Sequence, residues 1–282
     1  MQCQEFPLIA TDHTHLQAKC WETTNNQPKP KAIVCLIHGF GEHSGRYEHV
    51  AQALTAADYT VLALDSRGHG KSAGARGFIP SYEQFLEDVD VFLEDAVARY
   101  PDEKLFLYGH STGGGLVLRY VLERRPEIAG VIASSPWILL ARDPGFIAKA
   151  LMWVFGWLRP EFSISTGHTP GLLSRDPAVD EALLADPLNH HTMTAGLMTG
   201  ATKNGQILLE RAAEFPPIPL LQMHGDSDKI ISFKASKTFT SKTPAETTTF
   251  IPFDDGAHEL HNDLCKDEIF EAMISWLDAQ AL

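Results

Sequence analysis

Residues 105–115 read Leu105-Phe106-Leu107-Tyr108-Gly109-His110-Ser111-Thr112-Gly113-Gly114-Gly115. The short apolar and aromatic run has the composition of a buried strand. A single serine follows, flanked by glycines, and Leu116-Val117-Leu118-Arg119-Tyr120-Val121-Leu122 continues with helical content up to Arg125 before Pro126. Strand, tight turn and helix with Gly-x-Ser-x-Gly across the turn is the context of a nucleophile elbow. A serine raised on so sharp a turn leaves no room for side chains two residues to either side, which calls for Gly109 and Gly113. The following helix would aim its free N–H groups and the positive end of its dipole at the same point, where they favour developing negative charge.

Outward from this turn, apolar runs alternate with helical patterns. Toward the N-terminus, Ala32–Ile37 and Thr60–Leu64 read as strands buried on both faces. Phe6–Ala10 and His15–Trp21 read as an antiparallel edge hairpin, and 25–30 as a loop. Helices are expected over about 47–56 and from a Ser81 cap to about Tyr100, the latter with Phe85, Val89, Phe92, Leu93 and Val97 on one face. Toward the C-terminus come strands at 129–133, 218–223 and 247–252 and helices at about 234–241 and 266–279. The pattern predicts an α/β chain with a mostly parallel, doubly wound sheet. From about Trp137 to Phe215 the alternation stops and no strand is expected. Because strands resume afterwards, the reading is a core of residues 1–136 and 216–282 with an inserted helical cap at 137–215.

The 282 residues are 44% hydrophobic and 21% charged, an ordinary globular composition. A formal net charge of −13 opposes nucleic-acid binding. The four cysteines at 3, 20, 35 and 265 form no C-x-x-C pair, so neither a disulfide framework nor a zinc site is expected, and a reduced cytoplasm is the default. The N-terminus lacks a signal-peptide pattern. The most apolar segment, Phe146 to Leu158, carries Lys149 and is too short to span a bilayer. Gly70-Lys71-Ser72 lacks the first glycine of a phosphate loop, and Gly68-x-Gly70-x-x-x-Gly74 misses dinucleotide-binding spacing.

In an open α/β sheet the reactive groups sit on loops at the carboxyl ends of strands. Here those loops carry His38-Gly39-Phe40, Asp65, Ser111, Asp226 with Asp228, and His258. A serine hydroxyl becomes a nucleophile when an imidazole takes its proton, and a carboxylate fixes that imidazole's tautomer. Ser111 is the expected nucleophile. Spacing alone leaves Asp226 and Asp228 as equal candidates for the acid. His258 is the candidate base, with His261 as its rival; a metal reading of His258-x-x-His261 finds no further ligands nearby. An oxyanion needs two aimed N–H donors, expected from Thr112 and from Phe40.

With these motifs assembled, the chain resembles the α/β-hydrolase fold, and within it the monoacylglycerol lipase and lysophospholipase group. The resemblance covers nearly the whole chain and rests on His38-Gly39-Phe40-Gly41-Glu42-His43-Ser44-Gly45-Arg46-Tyr47, Asp65-Ser66-Arg67-Gly68-His69-Gly70-Lys71-Ser72, Gly109-His110-Ser111-Thr112-Gly113-Gly114 and His224-Gly225-Asp226-Ser227-Asp228-Lys229-Ile230. It implies that the acid is Asp228 and the base His258. It also implies that Glu42, Arg46 and His110 meet a glycerol group, against the alternative that Glu42 and Arg46 merely pair to hold their loop. The implied activity is ester hydrolysis on a lipid carrying one acyl chain, with no cofactor or metal.

Within the cap, Phe146, Ile147, Leu151, Met152, Trp153, Val154, Phe155, Trp157 and Leu158 are apolar around nearly the full helical circumference. Leaving four of them in water forfeits roughly 6–12 kcal/mol. Two readings follow: packing on the core or on a second copy, or an acyl-chain tunnel whose outer lip touches a membrane or micelle.

Overall fold

The computed structural model describes residues 1–23 and 29–281; positions 25–28 of the loop expected at 25–30 lie outside the described residues. In chain order the first elements are strands β1 (Gln2–Ile9), β2 (His15–Glu22) and β3 (Ile33–Ile37), helix α1 (Glu48–Ala56) and strand β4 (Thr60–Asp65). Helix α2 (Tyr82–Arg99), strand β5 (Leu105–His110), helix α3 (Thr112–Arg124) and strand β6 (Gly130–Ser134) follow. The Ser81 side chain accepts a hydrogen bond from the Gln84 N–H at 3.0 Å, capping α2 where the sequence puts its start.

The chain then leaves the sheet through helix α4 (Gly145–Leu158), strand β7 (Ser163–Ser165), helix α5 (Pro177–Ala185), strand β8 (Thr192–Thr194) and helix α6 (Ala195–Glu210). It returns as strand β9 (Leu220–Gly225), helix α7 (Phe233–Thr240), strand β10 (Thr248–Phe253) and helix α8 (Lys266–Ala281). No helix among the described residues is long and apolar enough to cross a membrane.

Eight strands form one sheet in the order β1-β2-β4-β3-β5-β6-β9-β10. β1, β2 and β4 pair antiparallel, and every other pair is parallel. The inner parallel strands β3, β4, β5, β6 and β9 are buried along their whole length because both their faces are covered, whereas the edge strand β10 is only partly buried. Leu116 and Val117 of α3, Val89 and Phe92 of α2 and Phe239 of α7 pack on one side. Val50 and Leu54 of α1 with Met273 and Leu277 of α8 pack on the other. Strand order reverses at β3, with β4 to one side and β5 to the other. A crevice opens at the carboxyl ends of strands where the order reverses, so the loops after β3 and β5 face each other across it.

The segment between β6 and β9 departs from the sequence reading in two ways. It contains strands: Ser163–Ser165 pairs antiparallel with Thr192–Thr194. Three residues per strand are too few to show an alternation in sequence. Its last helix is also part of the core. Leu197, Ala201 and Leu208 of α6 join the main apolar cluster, and Asn204 Nδ2 donates to the Gly115 carbonyl of α3 at 2.9 Å.

Candidate active site

Strand β5 hands the chain to α3 through one residue, Ser111, whose φ of 52° and ψ of −114° lie where side-chain-bearing residues rarely sit. The turn closes because its neighbours lack Cβ atoms. A Cβ on Gly109 would stand 2.3 Å from the Gly113 carbonyl oxygen, and one on Gly113 would stand 2.4 Å from that of Ile37. The Ser111 N–H donates to Ser134 O at 2.9 Å and its carbonyl accepts from Trp137 N at 2.8 Å, so the strained turn is tied to β6 and to the residues beyond it.

His258 reaches this serine from the loop after β10: Nε2 lies 2.9 Å from Ser111 Oγ, and Nδ1 lies 2.7 Å from Asp228 Oδ2. With its proton on Nδ1 facing the carboxylate, the ring leaves Nε2 to accept from the hydroxyl. The other oxygen of Asp228 accepts from the N–H groups of Ile230 and Ile231 at 2.8 and 2.9 Å, and His224 Nε2 stands 3.1 Å from Oδ2. Burial alone would raise the Asp228 carboxyl, but the His258 and His224 imidazoles outweigh it and hold it well below the carboxylate range. Burial would likewise lower His258, and the Asp228 charge and hydrogen bond reverse that, raising it.

Asp226 is exposed and accepts from the Asp255 N–H at 2.8 Å, bracing the turn. His261 is buried and stacks on Tyr47 with ring centroids 4.6 Å apart, its ring nitrogens bonded to no side chain or backbone group. Among the described residues no group of three or more His, Cys, Asp or Glu is arranged to hold a metal ion.

The Phe40 and Thr112 N–H groups donate to no other group of the described residues. Glu42 shapes the loop that carries Phe40: its Oε1 accepts from Gly39 N at 2.6 Å and from Tyr47 Oη at 2.7 Å, and its Oε2 from Arg46 Nη1 at 2.5 Å. Arg46 turns its fork to Glu259, with Nη1–Oε1 2.9 Å and Nη2–Oε2 2.7 Å. The loop is also held from above. The Gly41 carbonyl accepts from His190 N at 2.8 Å, His43 Nε2 lies 2.8 Å from Asp186 Oδ2, and the Phe40 and His190 rings meet edge-on at 5.6 Å.

A cavity of about 280 Å³ opens at Ser111 and His258. Trp137, Leu140, Leu183, Met193, Ile230 and Ile231 are part of its apolar wall. Its polar groups are Arg46, Glu259, Thr166, Thr169, His168, His190 and His191. Arg46 is thus on the wall, whereas Glu42 and His110 lie behind it. The His110 ring sits 5.0 Å from that of His258, and burial first and the His258 charge second push its imidazole down to about 4.

The apolar residues of α4 do not line this cavity; Leu172, Leu173, Leu183, Met193 and Met198 from the rest of the inserted segment do. Nor are they buried: Phe146 is 86% and Trp157 74% exposed. The helix packs on α6, where a Cβ on Gly156 would stand 2.4 Å from Thr199 Oγ1 and that hydroxyl donates to the Met152 carbonyl at 3.1 Å; Phe155 stacks on Phe162, while Phe146, Ile147, Trp153 and Trp157 face outward. Sequence reasoning missed Glu259, whose one signal is a charge directly after the candidate base. It also missed Asp263, whose Oδ2 accepts from Ala257 N at 2.8 Å and whose Oδ1 accepts from Arg175 N at 2.9 Å. Asp263 therefore fastens the histidine loop to the inserted segment.

Residues 28–265 match the model of the family Hydrolase_4, described as Serine aminopeptidase, S33. An uncharacterized abhydrolase domain-containing protein of Dictyostelium discoideum is 35% identical over 272 residues, 96% of this chain, which spans 28% of that protein's length. A monoacylglycerol lipase of Mycolicibacterium smegmatis is 32% identical over 249 residues, 88% of each chain. Among solved structures, the monoacylglycerol lipase of Paleococcus ferrophilus superposes with a TM-score of 0.84 at 31% identity, over 99% of this chain and 100% of that one.

Proposed function

The chain belongs to the Hydrolase_4 family of α/β-hydrolases, and from that premise we propose that it cleaves monoacylglycerols to fatty acid and glycerol. Ser111 Oγ attacks the ester carbonyl carbon as its proton passes to His258 Nε2, and Asp228 steadies the imidazolium. The carbonyl oxygen becomes negative between the N–H groups of Phe40 and Thr112, each worth roughly 3–4 kcal/mol of barrier. His258 Nε2 then gives its proton to the glycerol oxygen, the C–O bond breaks, and an acyl-Ser111 ester remains. Water attacks that ester with His258 again taking the proton, and returning it to Ser111 Oγ releases the fatty acid.

One observation carries the choice of substrate: the cavity of about 280 Å³ at Ser111 joins an apolar wall, which suits an alkyl chain, to a polar patch around Arg46 and Glu259. A triacylglycerol would need room for two more chains, and a peptide would need acceptors and donors along its backbone. The identity to monoacylglycerol lipases over most of both chains supports the same reading.

Residues 137–215 act in this proposal as a cap over the site. The outward apolar face of α4 rests on the lipid surface that supplies the substrate, with Phe146, Ile147, Trp153 and Trp157 entering the interface.

The test is a panel on the purified protein: mono-, di- and triacylglycerols, a lysophospholipid and an aminoacyl amide of matched solubility, with fluorophosphonate labelling of Ser111 alongside. The expected result is preferred release of fatty acid from monoacylglycerol and a single adduct on Ser111. Preferred turnover of the amide or of lysophospholipid would replace the substrate. The absence of any adduct would make the fold a binding module.

A further inference from the structure

Arg46 is the one arginine or lysine on the cavity wall among the described residues, and it is not available to a ligand as a free cation. Glu259 takes both its terminal nitrogens in a bidentate pair, and Glu42 takes one of them again from behind. All three side chains are nearly buried. Their formal charges sum to one negative. Glu259 is further locked by Asn262 Nδ2, 2.8 Å from Oε2, and its own N–H donates to the Leu173 carbonyl of the inserted segment at 2.7 Å. Glu42 braces the loop from within, bonding Gly39, Tyr47 and Arg46. The second carboxylate comes from a different loop and, unlike Glu42, lies on the cavity wall, directly after the histidine that faces Ser111.

We propose that Glu259 selects the charge of the alcohol half of the ester: by neutralising Arg46 at the cavity wall it admits an uncharged polyol and turns away an ester bearing a phosphate or carboxylate near the scissile bond. The inference rests on the monoacylglycerol reading above and narrows it. An anionic head group would enter a partly desolvated site that already carries an excess negative charge, where screening by water is weak. To gain a bidentate contact with Arg46 it would have to displace Glu259, leaving that buried carboxylate without its partner. An uncharged diol meets no such penalty and can donate its hydroxyls to the Glu259 carboxylate.

The experiment compares monooleoylglycerol with monooleoylglycerol phosphate, presented in the same neutral detergent, for the parent and for Glu259→Gln. The parent is expected to favour the neutral ester by at least tenfold in kcat/KM. In Glu259→Gln that ratio is expected to fall at least tenfold, chiefly through a lower KM for the phosphate, and the phosphate reaction should become more salt-sensitive as Arg46 is freed. A merely structural role would lower kcat for both esters and leave their ratio in place.

Competition in the parent provides a second measurement that needs no variant. The uncleavable 1-O-alkylglycerol is expected to inhibit at least tenfold better than its 3-phosphate. A parent that cleaves the neutral ester but does not discriminate, or a Glu259→Gln ratio within threefold of the parent's, overturns the inference and leaves the monoacylglycerol reading standing. A parent that prefers the phosphate, or that cleaves neither ester, overturns both.

Discussion

Asp228 Oδ2 stands 2.7 Å from His258 Nδ1, and two backbone N–H groups grip the other oxygen of the same carboxylate. Asp226, two residues earlier, spends its carboxylate on the turn at Asp255. Replacing Asp228 by Asn removes the charge that fixes the His258 tautomer, and the expected loss in kcat is roughly 10⁴-fold. Asp226→Asn is expected to change kcat by about twofold, the scale of a surface substitution. Fatty-acid release by both variants checks the ranking, and the reverse order would move the acid to Asp226.

The conformation of Ser111 has a consequence for stability. Its φ of 52° is strained for any residue with a Cβ, and glycine adopts it without that strain. Ser111→Ala is expected to lose turnover with Tm unchanged, since alanine inherits the same strain. Ser111→Gly should lose turnover and melt higher by about 2–4 °C for each kcal/mol of strain released. Thermal unfolding of the three proteins at one pH reads the difference; a Ser111→Gly variant that melts lower would mean the turn is relaxed as it stands.

Much of this site is legible in the sequence because its parts are local. A strand that ends in a glycine-flanked serine, or in His-Gly-Phe, announces its own turn, and residues 38–40, 111–112 and 228 each lie within a few positions of such an end. The choice between Asp226 and Asp228 is not local. It depends on which carboxylate the loop after β10 approaches, and only the fold brings Asp228 and His258 together. Glu259, Arg175 and Asp263 escape sequence reasoning for the same reason, since each gains meaning from partners dozens of residues away. The helix α4 shows the opposite failure. Its composition demands an apolar environment, yet its seam with α6 is set by the small residue Gly156, so most of its apolar surface faces outward.

The tie between Asp263, Ala257 and Arg175 carries its own expectation. Asp263→Ala leaves the buried Ala257 N–H without its acceptor and unlatches the histidine loop from the segment above it. The stability lost is about 1–3 kcal/mol, and kcat should fall at least tenfold while Arg175→Ala, whose side chain is partly exposed, falls less. Urea unfolding and steady-state rates of the two variants separate a loosened base from a weakened cap.

The histidines make both activity and stability depend on pH, and His258 alone sets the two against each other. Burial alone would lower His258, but the Asp228 carboxylate raises it above the ordinary imidazole value of about 6.5. Catalysis needs the neutral ring, so kcat/KM should rise with an apparent pKa above about 6.5. The stabilisation from the His258 imidazolium is complete below the unfolded value and is lost as pH rises through the folded one. Burial holds His110 and His190 down at about 4 and also lowers His38, His69 and His261. Their contribution is present above about 6.5 and is lost as pH falls toward 4, by about 3 kcal/mol for the fully buried His110 alone. Tm should therefore drop steeply between pH 6.5 and 4, a window in which the His258 contribution is already in place. A Tm that holds flat across that window would mean the buried imidazoles are charged in the fold.

The outward face of α4 yields the prediction on which the proposed membrane contact stands or falls. Trp153 and Trp157 are mostly exposed on a helix whose other exposed residues include Phe146, Ile147, Leu151 and Leu158. Each tryptophan that enters an interface removes apolar area from water at about 25 cal/mol per Å². The double variant Trp153→Ser/Trp157→Ser should therefore bind neutral phospholipid vesicles at least about tenfold more weakly than the parent, the equivalent of 1.4 kcal/mol. Neither side chain lines the cavity at Ser111, so hydrolysis of a water-soluble short-chain ester should persist while turnover of monoacylglycerol embedded in vesicles falls. Equal loss on both substrates would point to a damaged cap. Unchanged vesicle binding with a dimer that dissociates in the variant would assign the face to a second copy of the chain, since a helix this apolar is stable in water only when something covers it.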